Sequence, residues 1–531
     1  MAKKKKMKLK KLHPITTYVL LTIGVILLSL ILSLFKISAT YSTINQQTNI
    51  LEKTIITVNN LLSREGIEKI FSTATTNFAS FTTLTTLIIT LIGIEIAEVT
   101  GLIQTFMKKR FAKINPKTLT FILILLAIFS SIVNEVGYAI LIPLGALLFL
   151  FNGRNPLVGV AAAFAGVAFG YSISFFVGTI DLSLIPYTTQ AAHLIDSSFY
   201  VRMTSNLYIM IISCIIMAIV GTIITEKIVV KKLGRYISKK HDELGQTKEI
   251  EYLDLQYEEQ KKIKEEAKEK KGLKYARISG IIIALIFIYS IIPGLPLSGF
   301  LLDLNQKTYS DQLFGPNSYF QDGFTYIISL FFMITGISYG IGSESIKNDK
   351  ELFNKLDEKL KTLGSLIVLI FFASQFIAVF KESNIGTVIV ATLANILKAL
   401  PLSGLALIIV SIIVIAISNM FVTTSLAKWS IISPILIPTM MQLNMSPQYG
   451  QFIFRAAESM TNGITPLLAY FVVYIGYLNI YNKEQDKYFS IKEGINLMIP
   501  YFIGYTLTWI FIILMWYIIG LPLGPGVYPT L

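Results

Sequence analysis

Residues 449–470 read YGQFIFRAAESMTNGITPLLAY. The stretch opens like a membrane helix yet carries Arg455, Glu458 and Asn462 at intervals of three and four, with Gln451 one turn earlier. Those intervals set all four on one helical stripe. Pro466 has no backbone N–H, so the carbonyl of Asn462 loses its helical partner, and Gly463 permits unwinding. A polar stripe that runs into a broken helix is costly in lipid, so it is expected to face protein or a water-filled cavity. The apolar run continues through LLAYFVVYIGYL, which puts the break in mid-membrane. The plainer alternative is an interfacial helix with a structural Arg455–Glu458 pair and a harmless kink.

The rest of the chain fits a membrane setting. It has 531 residues, of which 53% are hydrophobic and 15% charged, against roughly 25% charged in a soluble domain. Mean hydropathy is +0.64, and many apolar runs exceed the ~18 residues that mark a spanning helix. The formal charge of +14 does not read as nucleic-acid binding, because the lysines cluster at helix flanks and in one loop. Positive-inside orientation and contact with anionic lipid explain them. Cys214 is the only cysteine and the three histidines are far apart, so no disulfide, metal cluster or zinc-protease helix is expected. The opening MAKKKKMKLKK resembles the start of a signal peptide, but the apolar run after it (about 15–35) is too long and lacks a convincing cleavage site. It is expected to be a retained first helix with a cytoplasmic N-terminus.

Two halves emerge along the chain: 1–228, with helices 1–4, and 278–531, with helices 5–9. A charged cytoplasmic linker, 229–277, joins them; it has too little apolar surface for a folded domain. The N-terminal half carries a polar loop (39–76), a helix ending in the basic cluster MKKRFAKINPK, and an apolar segment, 118–152, interrupted by SSIVNEVG. That segment reads either as two short spanning helices or as a re-entrant hairpin with its tip at Asn134–Gly137. A glycine-rich run from 157 to Asp181 follows and is expected to be a second broken helix. The C-terminal half repeats the order, with an interrupted segment 403–440 around SNMFVTTSLAKW and then the break near 462–466. Both interrupted segments run on into ILIP, ending at Pro143 and Pro438. Loop charge makes the first open from the cytoplasm and the second from outside, the inverted-repeat pattern of secondary transporters.

Several motifs resemble the AbgT family, the p-aminobenzoyl-glutamate transporters. They are GIEIAEVTGLI (93–103), GYAILIPLGALLF, GRNPLVGVAAAFAGVAFGYS, GTID, FFASQFIAVFKESNIG (371–386), FVTTSLAKW (421–429) and RAAESMTNGITP (455–466). The resemblance covers about 90–520 apart from the linker. It implies an all-α polytopic membrane protein of the bacterial cytoplasmic membrane, a homodimer with nine transmembrane helices and two re-entrant hairpins. It implies import of p-aminobenzoyl-glutamate or efflux of antimetabolites such as sulfonamides, driven by a proton or sodium gradient. Asp181, Trp429, Arg455, Glu458, Asn462 and Pro466 fall on motif positions with reported functional roles. Two departures stand out. Glu458 occurs where members often carry Asp, and Leu426–Ala427 precedes the lysine–tryptophan motif where a serine–alanine pair is common.

Roles follow from chemistry. Arg455 suits a substrate carboxylate, because its fork makes bidentate contacts. Trp429 suits an aromatic ring, although membrane tryptophans also serve as interfacial anchors. Ser425 and Thr424 complete the expected substrate set with Asn462 and Pro466. Asn134, Asn419, Asn462 and Thr423 offer oxygens to sodium, or simply cap short helices. Asp181 and Glu458 are the candidate coupling carboxylates; Glu95, Glu98 and Glu135 are weaker ones. An intramembrane enzyme using Asp181 and Glu458 as acid and base is the competing class. Against it stands the absence of a nucleophile motif or a cofactor loop, and no nucleotide-binding loop is present for ATP-driven pumping.

Overall fold

The computed structural model describes residues 11–45, 48–111, 114–133, 135–171, 173–234, 252–315, 317–482 and 488–531. Asn134 and linker residues 235–251 lie outside the described residues, as does the lysine tract up to residue 10. Among the described residues, eight helices are long and apolar enough to cross a membrane. Helix Pro14–Leu34, the segments Arg64–Val99 and Met203–Leu233, and Lys264–Ser290 belong to the first group of four. Tyr319–Ser343, Asp349–Glu382, Gly404–Phe421 and Ile491–Ile519 follow. Their exposed faces are lined with Ile and Leu, for example Ile281, Ile282, Leu285 and Ile286, as lipid contact requires.

The remaining apolar helices are short and interrupted, and they form the centre. Pro156–Phe169 is capped by the side chain of Asn155, which accepts from Leu157 N at 3.0 Å, with a proline at its first position. It ends at Gly170, and the chain resumes as helix Thr179–Ala192. The second broken helix is built the same way. Ser446 caps Pro447–Asn462, a proline again opens the helix, and Gly463 closes it. Helix Phe471–Ile480 continues beyond the break. In both cases the proline costs no hydrogen bond at a first turn, and the glycine lets the backbone leave the helix.

Each broken helix sits beside a helix–turn–helix unit. Pro116–Phe129 and Val136–Phe151 meet at a tight 3₁₀ turn, Ser130–Val133. Gly404–Phe421 and Ser425–Gln442 are joined by three residues. The return arms cross over between halves: Val136–Phe151 packs on Phe471–Ile480, and Ser425–Gln442 packs on Thr179–Ala192. Helix Pro447–Asn462 is buried along its whole length, enclosed by both arms of the second unit and both parts of the first broken helix.

Three features depart from expectation. The polar loop 39–76 contains an antiparallel β-hairpin, Ser38–Ile44 with Leu51–Thr57, and a helix, Arg64–Ala79. The chain is thus all-α only in its membrane part; β-branched Thr and Ile favour the strand pair. Helices Asp349–Leu360 and Ile385–Ala399 were missed. The first is amphipathic and highly charged, the second short, so neither carries an ordinary spanning signal. Finally, no break marks the end of the linker at 277. One helix, Tyr252–Ser290, runs from it into the membrane span, because Glu and Lys are good helix formers and a change of charge does not stop a helix. Its Glu269 pairs with Lys109 at 3.3 Å, and its Lys268 with Glu344 at 2.7 Å.

Small residues set the closest helix approach. A Cβ added at Gly159 would lie 2.1 Å from the carbonyl oxygen of Gly145 on the neighbouring helix. Backbones meet there with no side chain between them. Gly159→Val is therefore expected to lower the melting temperature of the purified protein, overpacking of this kind costing about 1–3 kcal/mol. Gly24→Ala, where a Cβ meets nothing within 4 Å, should leave it unchanged.

Candidate functional site

Arg455 projects from the middle of Pro447–Asn462 toward the break in the other half. Its Nη1 pairs with Asp181 Oδ1, and its Nη2 donates to the carbonyl of Tyr171 at 3.0 Å. Both partners are products of that break. Tyr171 lies just past the C-terminal end of Pro156–Phe169, where carbonyls lose their helical donors. Asp181 lies in the first turn of Thr179–Ala192, and its Oδ2 accepts from Gly178 N at 3.1 Å. The negative end of one half-helix thus faces the guanidinium, and the positive end of the next holds the carboxylate. Arg455 and Asp181 are 4% and 6% exposed, so the pair is buried, and it bridges the two halves.

Glu458, one turn further along, does not pair as its spacing suggests. Its Oε2 lies 3.1 Å from Lys428 Nζ, and its Oε1 accepts from Ser425 Oγ at 2.9 Å. In place of the Arg455–Glu458 pair of the plainer alternative stand two pairs, Arg455–Asp181 and Glu458–Lys428. The reason is tertiary: each side chain finds a partner of opposite charge on a neighbouring element rather than along its own helix. Lys428 is fully buried on the return arm Ser425–Gln442, and its Nζ also donates to Asn419 Oδ1. The amide of Asn419 lies 2.8 Å from Glu458 O, 3.0 Å from Thr461 Oγ1 and 2.7 Å from Asn462 Oδ1. The tip of the second helix–turn–helix unit is thereby fastened to the end of the polar helix.

Trp429, the next residue, is fully buried against Phe454, ring centroids 4.5 Å apart. Its Nε1 donates to Thr188 Oγ1 at 2.9 Å, and Thr188 reaches Gln451 Oε1 at 2.5 Å. A tryptophan so placed is no interfacial anchor. Of the other expected residues, Pro466 is half-buried in the segment after Gly463, Thr423 is half-buried and Thr424 exposed in the three-residue turn. Thr424 makes no side-chain cap. Glu98 is occupied by Lys359, away from this centre. Glu135 starts the return arm of the first unit and makes no cap there. Lys428, Thr188 and Tyr171 went unrecognised as site residues. Only Lys428 carried a signal, a lysine inside an otherwise apolar arm; Tyr171 contributes a backbone carbonyl that any residue could supply.

The pattern of the AbgT putative transporter family matches residues 7–531. The chain belongs to the AbgT family. It is 30% identical over 520 residues to the p-aminobenzoyl-glutamate transport protein of Escherichia coli K12, covering 98% of this chain and 94% of that one. Two solved structures are also similar. The Alcanivorax borkumensis YdaH transporter shares 28% identity over 97% of this chain and 100% of its own, with a TM-score of 0.46. Neisseria gonorrhoeae MtrF, described among antimetabolite efflux pumps, shares 32% over 98% of each chain, with a TM-score of 0.47. The protein is accordingly an integral-membrane secondary transporter that couples solute movement to an ion, and not an enzyme.

The pairing makes a direct prediction. Removing one partner of a buried ion pair strands the other charge, at about 3–5 kcal/mol. Arg455→Met and Asp181→Leu should each lower thermal stability markedly, while the double variant recovers much of the loss. Arg455→Met combined with Glu458→Leu should show no such recovery, because those two residues belong to different pairs.

Proposed function

We propose that this transporter carries p-aminobenzoyl-glutamate or a related aromatic carboxylate across the bacterial cytoplasmic membrane, with Arg455 as the carboxylate receptor. The observation that carries this reading is the Arg455–Asp181 pair, held between two helix breaks from opposite halves. Arg455 must keep a counter-charge in every state, because an unpaired guanidinium in this setting is prohibitively costly. An entering carboxylate supplies one and competes with Asp181. Asp181 is then free to take a coupling ion, so solute occupancy and ion occupancy are linked at one guanidinium. Trp429 and Phe454 give the aromatic surface beside Lys428 and Glu458.

Alternating access in this proposal moves the two helix–turn–helix units, acting as re-entrant hairpins of an inverted repeat; with Gly404–Phe421 counted as a hairpin arm, the other seven long helices and the two broken helices make nine spans. Supporting it are the matched cap–proline–glycine construction of both broken helices and the reciprocal packing of the two return arms. The basic cluster at Lys108–Arg110 and the lysines of 347–361 support a cytoplasmic position for those loops and the N-terminus. The homodimer implied by the family is part of the same proposal. The family resemblance adds antimetabolites such as sulfonamides as a second solute class.

Proteoliposome flux and equilibrium binding test the central step. Arg455→Lys should weaken p-aminobenzoyl-glutamate binding roughly tenfold, since an ammonium cannot reproduce the fork and one charge-assisted hydrogen bond is worth about 1.5 kcal/mol. It should leave an uncharged sulfonamide nearly unaffected. Asp181→Asn should remove the competitor, so carboxylate binding is retained or tightened while gradient-driven accumulation is lost. Equal weakening of both solutes by Arg455→Lys would show that Arg455 is structural.

A further inference from the structure

The tip of the second helix–turn–helix unit holds the chemistry of a small-cation site. Asn419 presents its side-chain carbonyl, Glu458 a carboxylate oxygen, and Ser425 a hydroxyl bonded to that same carboxylate. A neutral carbonyl oxygen and a carboxylate oxygen converge on one point beside a short helix break, with the Ser425 hydroxyl steadying the other carboxylate oxygen, and oxygens of this kind are what a hard cation asks of a protein. The amide side of Asn419 is fixed by Glu458 O, Thr461 and Asn462, so its carbonyl oxygen can point only toward the centre of the group. What stands there is Lys428. The side chain is 0% exposed, and its ammonium meets both Asn419 Oδ1 and Glu458 Oε2.

We propose that Lys428 is a tethered surrogate for sodium: its ammonium fills the cation cage of the second tip, so that this tip takes no Na⁺. The lysine ties the turn to helix Pro447–Asn462 as a bound ion would, but it cannot leave. Two consequences follow for the transport reading, on which they rest. Glu458 faces a tethered side chain that cannot leave and is not the carboxylate released by substrate. The coupling ion is then a proton, added to Asp181 from the aqueous side when a substrate carboxylate displaces it from Arg455. One negative charge enters with the carboxylate and one positive charge with the proton, so the centre keeps its charge balance.

The cage can be tested without any substrate. Thermal unfolding of the purified full chain is measured in NaCl and in choline chloride at matched ionic strength. The native protein should show no difference between the salts. Lys428→Ala should be less stable in choline, and Na⁺ should raise its melting temperature saturably, by several degrees. Adding Glu458→Gln to Lys428→Ala should abolish that response. A saturable, Na⁺-specific rise in the native protein overturns the proposal, and so does a Lys428→Ala variant indifferent to Na⁺. If Lys428→Ala cannot be recovered folded, Lys428→Gln, which keeps the volume, takes its place with the same two outcomes. Flux adds an independent reading: native proteoliposomes should accumulate solute under a pH gradient in choline, and not under a sodium gradient at equal pH. Sodium-driven accumulation would overturn the surrogate while leaving the carboxylate role of Arg455 intact. Absence of p-aminobenzoyl-glutamate transport would overturn that role and leave the thermal result standing.

Discussion

Two full positive charges, Arg455 and Lys428, are buried at the centre of a membrane protein, and much of the surrounding architecture answers to their need for counter-charge. Neither can be solvated by lipid, so each needs a partner inside the protein. The fold therefore brings a carboxylate to each from a different element: Asp181 from beyond the first break, and Glu458 from the polar helix. Because each pair joins separate elements, the charges act as fasteners. Arg455 and Asp181 connect the halves of the chain, whereas Lys428 and Glu458 connect a turn to the helix behind it.

The breaks make this possible. A continuous helix hides its carbonyls and amides in its own ladder and has nothing to offer an ion. Interrupting Pro156–Phe169 at Gly170 exposes the carbonyl of Tyr171, and restarting at Thr179 provides the amide end that steadies Asp181. The same interruption would be intolerable against lipid, so it must be enclosed. That enclosure is supplied by the return arms and by glycine-to-glycine contacts such as Gly145 with Gly159, which let helix backbones close around the centre.

Membrane character, the two broken helices and the polar stripe were legible from the amino-acid order, because lipid enforces a long apolar period and makes every exception conspicuous. Arg455, Asp181, Glu458, Asn419, Asn462, Ser425 and Trp429 were legible for the same reason, and the structure gathers them into one region. The β-hairpin after the first helix and the amphipathic helix Asp349–Leu360 were not, nor was the continuity of the charged helix with the span that follows it in Tyr252–Ser290. Outside lipid, local composition constrains backbone conformation only weakly, and a charged segment reads alike whether it is a loop or a solvated helix.

Pairing was the part that the sequence left open. Arg455 and Glu458 stand at an ideal helical interval, and in isolation that interval would be enough to join them. A spacing rule knows only one helix, however, and ion pairs in a low-dielectric interior form wherever packing brings opposite charges together with their remaining hydrogen bonds satisfied. Here packing placed Asp181 beside Arg455 and Lys428 beside Glu458. Sequence determined that buried charges exist and that two helices break to receive them. Which charge meets which was decided by tertiary packing: the crossing of the two halves brings together Arg455 and Asp181, 274 positions apart, and the return of the second helix–turn–helix unit brings Lys428 to Glu458.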